Sequence, residues 1–390
     1  VSDAELRLAG VACPYWTEVT VQRSLLQLAP SFDFRLVNAA PSAVPVLPSL
    51  PVEVVLDGAT AITGFIDSIS HVDQPTGGTS FAVRGRGKTA DLVDCSARHS
   101  TGRFVQAGAQ AILIQLCEPY GISVEVDPTM APDALARLIA DIVKPLKKFR
   151  LRVGDTPFAA IEKLAKERAF LVFESTRGTL VITRAGATPT TIIDRTRGEQ
   201  WTRETDESNV FSEYEILGQH WGSNTWNGDD ARGARGTIAD DAATRFRPMT
   251  IVAERSVASA DLTARATYER NQRRGLAERV GVTVSGWTYA PGLLWDIGQR
   301  VTLDNPFLGV TGEFLVYDVV MRRDRNGATT ALTCAPPEAF EPFDPPKKKP
   351  EKRKTGKALD PLAIALASHT QLLATFAANL AGLKAKKVSK

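Results

Sequence analysis

VEVVLDGATAITGFIDSIS (52–70) and QRVTLDNPFLGVTGEFLVYDVVM (299–321) decide the fold, because they run through one order of elements twice. Each begins as an alternating strand that ends in Leu-Asp, at Leu56-Asp57 and at Leu303-Asp304, and then turns. Each continues through hydrophobic-Thr-Gly (Ile62-Thr63-Gly64, Val310-Thr311-Gly312) into an aromatic-bearing strand that reaches Asp67 or Asp318. In both, a further strand follows a polar turn, within SFAVRGRG (80–87) and TTALTCAP (329–336). Period-two alternation bounded by turn residues reads as strand, and a recurring order of such strands reads as internal duplication. Two antiparallel segments with similar turn needs could match by coincidence; a duplicated β-barrel accounts for more of the shared order.

Outward from the first copy, 16–25, 31–38, 51–57, 61–70 and 79–85 all read as short strands, so residues 1–98 form a first β-barrel or sandwich. KTADLVDCSA (88–97) is helical. The pattern then mixes: helices over 107–121, 132–142 and 155–169, strands over 122–126 and 147–153, and a hairpin turning at Arg177-Gly178. Pro157 in a first turn, with Asp155 or Thr156 before it, marks the start of the third helix. Residues 99–200 therefore read as an α/β domain inserted between two β domains. Strands return from 201, interrupted by the polar stretch 221–236, and a long helix over 259–279 precedes strands at 279–287, 299–305, 312–323 and 328–336, giving a second barrel over 201–340. The fold class is α+β, mainly β.

The chain has 390 residues, 43% of them hydrophobic and 23% charged, enough for several cores and unlike a disordered or fibrous chain. Its net charge of +3 hides an asymmetry, since residues 341–390 carry +7 and the remainder −4. Pro- and Lys-rich 341–358 reads as an extended linker, with contact to an acidic partner or nucleic acid as the alternative. Beyond it, 359–390 reads as an amphipathic helix. Leu359, Leu362, Leu366, His369, Leu373, Phe376, Leu380 and Leu383 fall on one coiled-coil seam, which makes these eight the candidate partner-binding residues. Ser368, His369, Thr370, Gln371 and Asn379 make the same stretch a poor membrane span, so no stable membrane insertion is expected. Four scattered cysteines and the absence of a secretory signal fit assembly in a reducing cytoplasm with four free thiols.

Catalytic signatures are missing. RGRGKTA (84–90) fits G-x-G-x-x-A at Gly85, Gly87 and Ala90, but no acidic residue stands where a ribose would need one, and a strand-to-helix turn explains the glycines. His71, His99, His220 and His369 have no metal-ligand spacing, and G-x-S-x-G is absent. Asp229-Asp230 and Asp240-Asp241 could bind a cation, or be solvated loop charge. No catalytic residue, metal or cofactor is expected.

VRGRGKTADLVDCSA (83–97), together with the run from RATYERNQRRGLAERVGVTVSGW (265–287) through LLWDIGQRVTLD (293–304) to ALTCAPPEAF (331–340), resembles the baseplate hub proteins of Mu-like contractile-tailed bacteriophages. Related hub modules head the spike proteins of type VI secretion systems. The resemblance implies a structural virion protein of the tail baseplate, assembled in the host cytoplasm, and not an enzyme. It implies a homotrimer whose six barrels form a ring between a sixfold tail tube and a threefold spike, enclosing a channel for DNA ejection. Its partners would be the tube or tube-initiator protein, a separate spike protein and, at the C-terminal helix, a tape measure protein. The rival readings are a tail-borne cell-wall hydrolase and a nucleic-acid-binding protein acting through its basic tail.

Overall fold

The computed structural model describes residues 3–8, 10–13, 16–37, 46–74, 78–168, 170–184, 191–218, 235–253 and 259–340. The linker 341–358, the helical seam from Leu359 to Leu383, His220, and Asp229-Asp230 lie outside the described residues.

The first repeat contains β1 (Ala4–Leu8), β2 (Val11–Cys13), β3 (Glu18–Ser24), β4 (Ser31–Val37), β5 (Pro51–Leu56), β6 (Ala59–Gln74) and β7 (Gly78–Gly87). Alternating burial in β1 and β3 shows why they are strands: each places one face in a core and one toward solvent. Asp57 and Gly58, both at positive φ, close the β5–β6 hairpin as the type I′ turn that Asp-Gly favours.

The inserted segment contributes α1 (Ala90–Asp94), β8 (Arg103–Ala107), α2 (Ala109–Cys117), β9 (Val124–Val126), α3 (Pro132–Val143), β10 (Leu146–Arg150), α4 (Pro157–Arg168), β11 (Leu171–Glu174) and β12 (Leu180–Thr183). It has its own core, with Ile112, Leu116, Leu138, Ile161, Leu164 and Ile182 buried together. The Thr156 hydroxyl accepts the Ala159 N–H at 3.1 Å, the cap expected from its position before Pro157. Helix α1 is shorter than the sequence pattern predicts, and β8, which pairs with β10, was not anticipated.

After it come β13 (Thr191–Asp194), β14 (Gly198–Thr205), β15 (Glu213–Leu217), β16 (Arg235–Ala239), β17 (Pro248–Val252), α5 (Ser259–Ala277), β18 (Glu278–Ser285), β19 (Thr288–Ala290), β20 (Leu293–Leu294), β21 (Arg300–Asn305), β22 (Val310–Asp324) and β23 (Gly327–Ala335). Strands β15 to β17 form a small sheet on which Leu262 and Ala266 of α5 pack.

Strand β13, which the sequence pattern places in the inserted domain, and β14, which straddles that domain's expected end at residue 200, hydrogen-bond to β21 and β18. This reveals the full repeat. The neighbours run β3-β4-β7-β6-β5-β1 in the first half and β14-β18-β23-β22-β21-β13 in the second, the same order twice, except that β13 is parallel to β21 where β1 is antiparallel to β5. Strands β6 and β22 each carry a bulge, at Asp67 and at Tyr317, where their long partners β7 and β23 skip one residue.

Two separate closed barrels are not what these hydrogen bonds build. Among the described residues neither repeat closes on itself. Strand β3 at the edge of the first pairs with β22 of the second, and the two join into one 13-stranded sheet. A single core follows, with Trp16, Phe34 and Ile62 buried in the same cluster as Val282, Trp295 and Met321. No described helix is long and apolar enough to cross a membrane.

Candidate functional site: the seam between the repeats and its open counterpart

The β3–β22 seam is antiparallel, with Ser24 opposite Asp318, Gln22 opposite Val320 and Thr20 opposite Arg322. Pairing buries it: Val19, Val21, Arg23 and Ser24 on one side and Val319 and Met321 on the other are all buried. The Gln22 amide donates to the Asp318 carboxylate at 3.3 Å across the seam.

Arg23 anchors this seam to the rest of the molecule. Only 2% exposed, its Nε donates to Asp296 Oδ1 at 2.6 Å, Nη1 to the Ala61 carbonyl at 3.0 Å and Nη2 to the Glu174 carbonyl at 2.7 Å. One guanidinium thus ties the second repeat, the first repeat and the inserted segment together. A planar five-donor fork suits that task better than an ammonium.

Beside it lies the turn at RGRGKTA. The Lys88 and Thr89 N–H groups, at the start of α1, donate to the two Glu174 carboxylate oxygens at 3.0 and 2.9 Å, and the Thr89 hydroxyl donates to the same group. Glu174 is 1% exposed, and burial pushes its pKa up against the pull of the Thr89 and Lys88 hydrogen bonds. A Cβ on Gly87 would meet that carboxylate at 2.4 Å, and one on Gly85 would meet the Phe65 carbonyl at 2.1 Å. The two glycines therefore admit the chain's own side chain and a neighbouring strand, as the sequence pattern suggested when it favoured a turn over a dinucleotide. Sequence reasoning missed Glu174, because backbone amides recognise it and leave no mark in the residue types.

At the two bulges the sheet carries matching depressions. One, of about 360 Å³, is lined by Thr20, Gln22, Asp33, Asp67, Ser68 and Arg84. The other, of about 330 Å³, is lined by Thr202, Glu204, Gly281, Tyr317, Asp318 and Thr333. When the strands are aligned on the bulges, each of the second six occupies the position of the corresponding one in the first. Asp33 in the first is held below the usual carboxylate range by Arg84 and Arg35, against its own partial burial. Apart from Gly281 and the buried Tyr317, these residues are polar and half-buried or exposed, a surface for contact with no convergent acid-base pair.

The remaining candidates are accounted for. His71 lies 4.7 Å from the Phe81 ring and His99 4.3 Å from Phe104, centroid to centroid. Asp240 is buried and paired to Arg274 at 2.6 Å, so it is not loop charge awaiting a cation. Among the described residues no group of three His, Cys, Asp or Glu could hold a metal. All four cysteines are free thiols.

Comparison with known proteins places this architecture. Residues 3–87 match the family model of the N-terminal domain of Mu phage baseplate assembly protein GpP-like proteins, 89–184 that of the second domain of gp44-like baseplate hub proteins, and 258–343 that of the fourth domain of GpP. The chain is 31% identical over 349 residues to the baseplate hub protein gp44 of Escherichia phage Mu, covering 86% of this chain and 88% of that protein. The 43 kDa tail protein of prophage MuSo2 from Shewanella oneidensis superposes with a TM-score of 0.73 at 26% identity, covering 87% of this chain and 99% of that one. A tail protein from Neisseria meningitidis MC58 shares the fold with a TM-score of 0.74 at 24% identity, over 88% and 98% of the two chains.

Proposed function

Since the chain belongs to the Mu-type baseplate hub family, and is accordingly a structural component of the virion's tail baseplate and not an enzyme, we propose that three copies assemble into a closed ring. Two repeats per chain give six β units around that ring, which adapts a sixfold tail tube on one side to a threefold spike on the other and leaves an axial channel for DNA. The observation that carries this reading is the repeated strand order, in which a whole six-strand unit recurs within one chain. Each unit acts as a barrel-like wall segment of the ring, with the inserted α/β domain attached at the buried junction around Arg23 and Glu174. The C-terminal seam, from Leu359 to Leu383, extends beyond the linker to dock a tape measure protein or its own copies.

A ring of this kind has heterologous contacts that close, and a permanent one buries well over roughly 2,000 Å² per interface. Native mass measurement tests it: the expected particle has three times the 42.2 kDa chain mass, with a central hole in negative-stain images. A chain that stays monomeric at micromolar concentration with and without its spike and tube partners would overturn the proposal. The net charge of −4 outside residues 341–390 suits a lumen that does not hold phosphates. Submicromolar, salt-sensitive DNA binding by residues 1–340 would contradict that part.

A further inference from the structure

The inserted segment carries a surface that neither repeat accounts for. KPLKKFRLR (144–152) holds five basic residues and no acidic one, and its strand β10 pairs antiparallel with β8 in a two-stranded ribbon. Alternation sorts the side chains of that ribbon. Phe104 and Phe149 turn into the core, their ring centroids 6.0 Å apart, while Arg103, Val105, Lys148 and Arg150 are exposed on the other face, Val105 to 63%. Arg103 lies directly opposite Arg150, and Lys148 opposite Val105. Like charges so placed repel, and among the described residues no carboxylate pairs with any of the three cations. The acidic residues that flank the segment are taken, Asp141 by Arg184 at 2.7 Å and Asp155 by Lys163 at 2.9 Å. In the large sheet, by contrast, Arg84 sits on Asp33, Arg86 on Asp67 and Asp94, and Arg300 on Glu313. The ribbon also holds exposed Gln106 at φ 52°, a left-handed backbone that is strained for a residue with a side chain. Repulsion and strain therefore sit together on one open face.

We propose that the outer face of the β8–β10 ribbon docks an acidic, extended segment of another protein, with carboxylates on Arg103, Lys148 and Arg150 and an aliphatic side chain on Val105. Charge complementarity names the occupant: the face lacks carboxylates of its own, and guanidinium forks receive a carboxylate through two parallel hydrogen bonds. Spacing names its shape. Cation and valine follow each other two residues apart along β8, about 6.6 Å, which is also the same-face repeat of an extended chain. A segment with Glu or Asp and an aliphatic residue at alternate same-face positions therefore meets both. Nucleic acid fits less well. The aromatic rings of the ribbon are buried beneath it, so no base can stack there, and an exposed valine offers nothing to a phosphate. The surface is built from the inserted segment alone and stands whether or not three chains close a ring.

Hydrogen exchange of the full chain, read by mass spectrometry, tests this with a soluble peptide repeating Glu-Ser-Val-Ser as the probe and one repeating Lys-Ser-Val-Ser as the control. A two-stranded ribbon is marginal by itself, so an occupant should slow its opening, and the acidic peptide is expected to slow exchange in 103–107 and 146–150 by about threefold or more. The basic peptide should leave those amides unchanged. Arg103→Gln combined with Arg150→Gln should weaken the acidic peptide by about tenfold or more, read as the concentration that gives half the protection. The same double variant should melt no lower than the parent, because it removes a repulsion, whereas a pair with a purely structural role would lose stability. Protection confined to residues 341–390, or no protection, overturns the site, as does a double variant that binds the peptide like the parent. Duplex DNA or anionic phospholipid vesicles that protect the ribbon as strongly as the peptide overturn the assignment to a protein partner.

Discussion

Replacing Arg23 by alanine removes a side chain that touches both repeats and the inserted segment through hydrogen bonds to Asp296, Ala61 and Glu174. Breaking a buried ion pair from one side costs roughly 3–5 kcal/mol, because the partner groups stay behind unpaired. Here Asp296 is 28% exposed and regains water, but the Ala61 and Glu174 carbonyls do not, and the vacated stem leaves a cavity. These effects overlap, so the expected total stays near 3–5 kcal/mol. With an unfolding entropy of about 2.1 cal/mol/K per residue over about 340 residues, each kcal/mol lowers Tm by about 1.4 °C, giving a fall of about 4–7 °C. Arg23→Met keeps the stem volume and should recover about a third of the loss. In a double-mutant cycle with Asp296→Ala, the coupling should be about 1–3 kcal/mol. Thermal unfolding followed by circular dichroism, with urea midpoints as a second measure, reads these values. An Arg23→Ala protein that melts within about 1 °C of the parent would refute the junction as a stabilising element.

Glu174→Gln should destabilise by about 1–3 kcal/mol, since its amide turns a donor toward one of the two N–H groups the carboxylate now accepts. Because burial raises the folded pKa of Glu174, its protonation favours folding; that contribution is full below the unfolded pKa and is lost as pH rises through the folded value, so the shortfall of the Gln variant narrows between pH 4.5 and 7.5. A shortfall constant over that range would remove the buried carboxylate from the account. Gly64→Ala puts a Cβ 1.9 Å from the Arg86 carbonyl in the β6–β7 ladder and should cost about 1–3 kcal/mol or more, measured as a lower urea midpoint. Iodoacetamide at pH 8 should label exposed Cys95 readily and Cys13 slowly. Buried Cys117, its thiol pushed up to about 12, and Cys334, pushed higher still, should stay unlabelled until the chain unfolds, as intact mass will show.

The duplication was legible because strand alternation and turn residues follow from core packing in both copies, and the Leu-Asp ends do mark equivalent strands β5 and β21. The Thr-Gly match was partly misleading. Aligned on the bulges, the two Thr-Gly pairs fall two residues out of step, because the first hairpin turns at Asp57-Gly58 and the second uses the 3-10 turn Pro306–Leu308 with Gly309. A two-residue slip keeps the same faces inward, so hydrophobic pattern cannot detect it. The bulges themselves leave no signal, since Asp67 and Tyr317 share no chemistry. Strand β13 and the start of β14 fall before the boundary expected at residue 200, yet they pair with the second repeat, because pairing across the sheet, not local propensity, decides where a strand belongs. The seam of β3 with β22 and the Arg23 contacts join residues far apart in sequence, beyond the reach of any window-based pattern.

That seam also sets a clock on synthesis. Strand β3 emerges well before the strand that covers it, with about 300 residues between them. At roughly 5–20 residues per second, the nascent chain carries an open edge, with Val19 and Val21 on it, for about 15–60 seconds before its partner exists. During that interval the β22 of an older neighbouring chain presents the same complementary edge. Two chains on one messenger can therefore exchange halves, each completing the other's seam, a hazard that rises with ribosome density and falls when translation of the second half is fast.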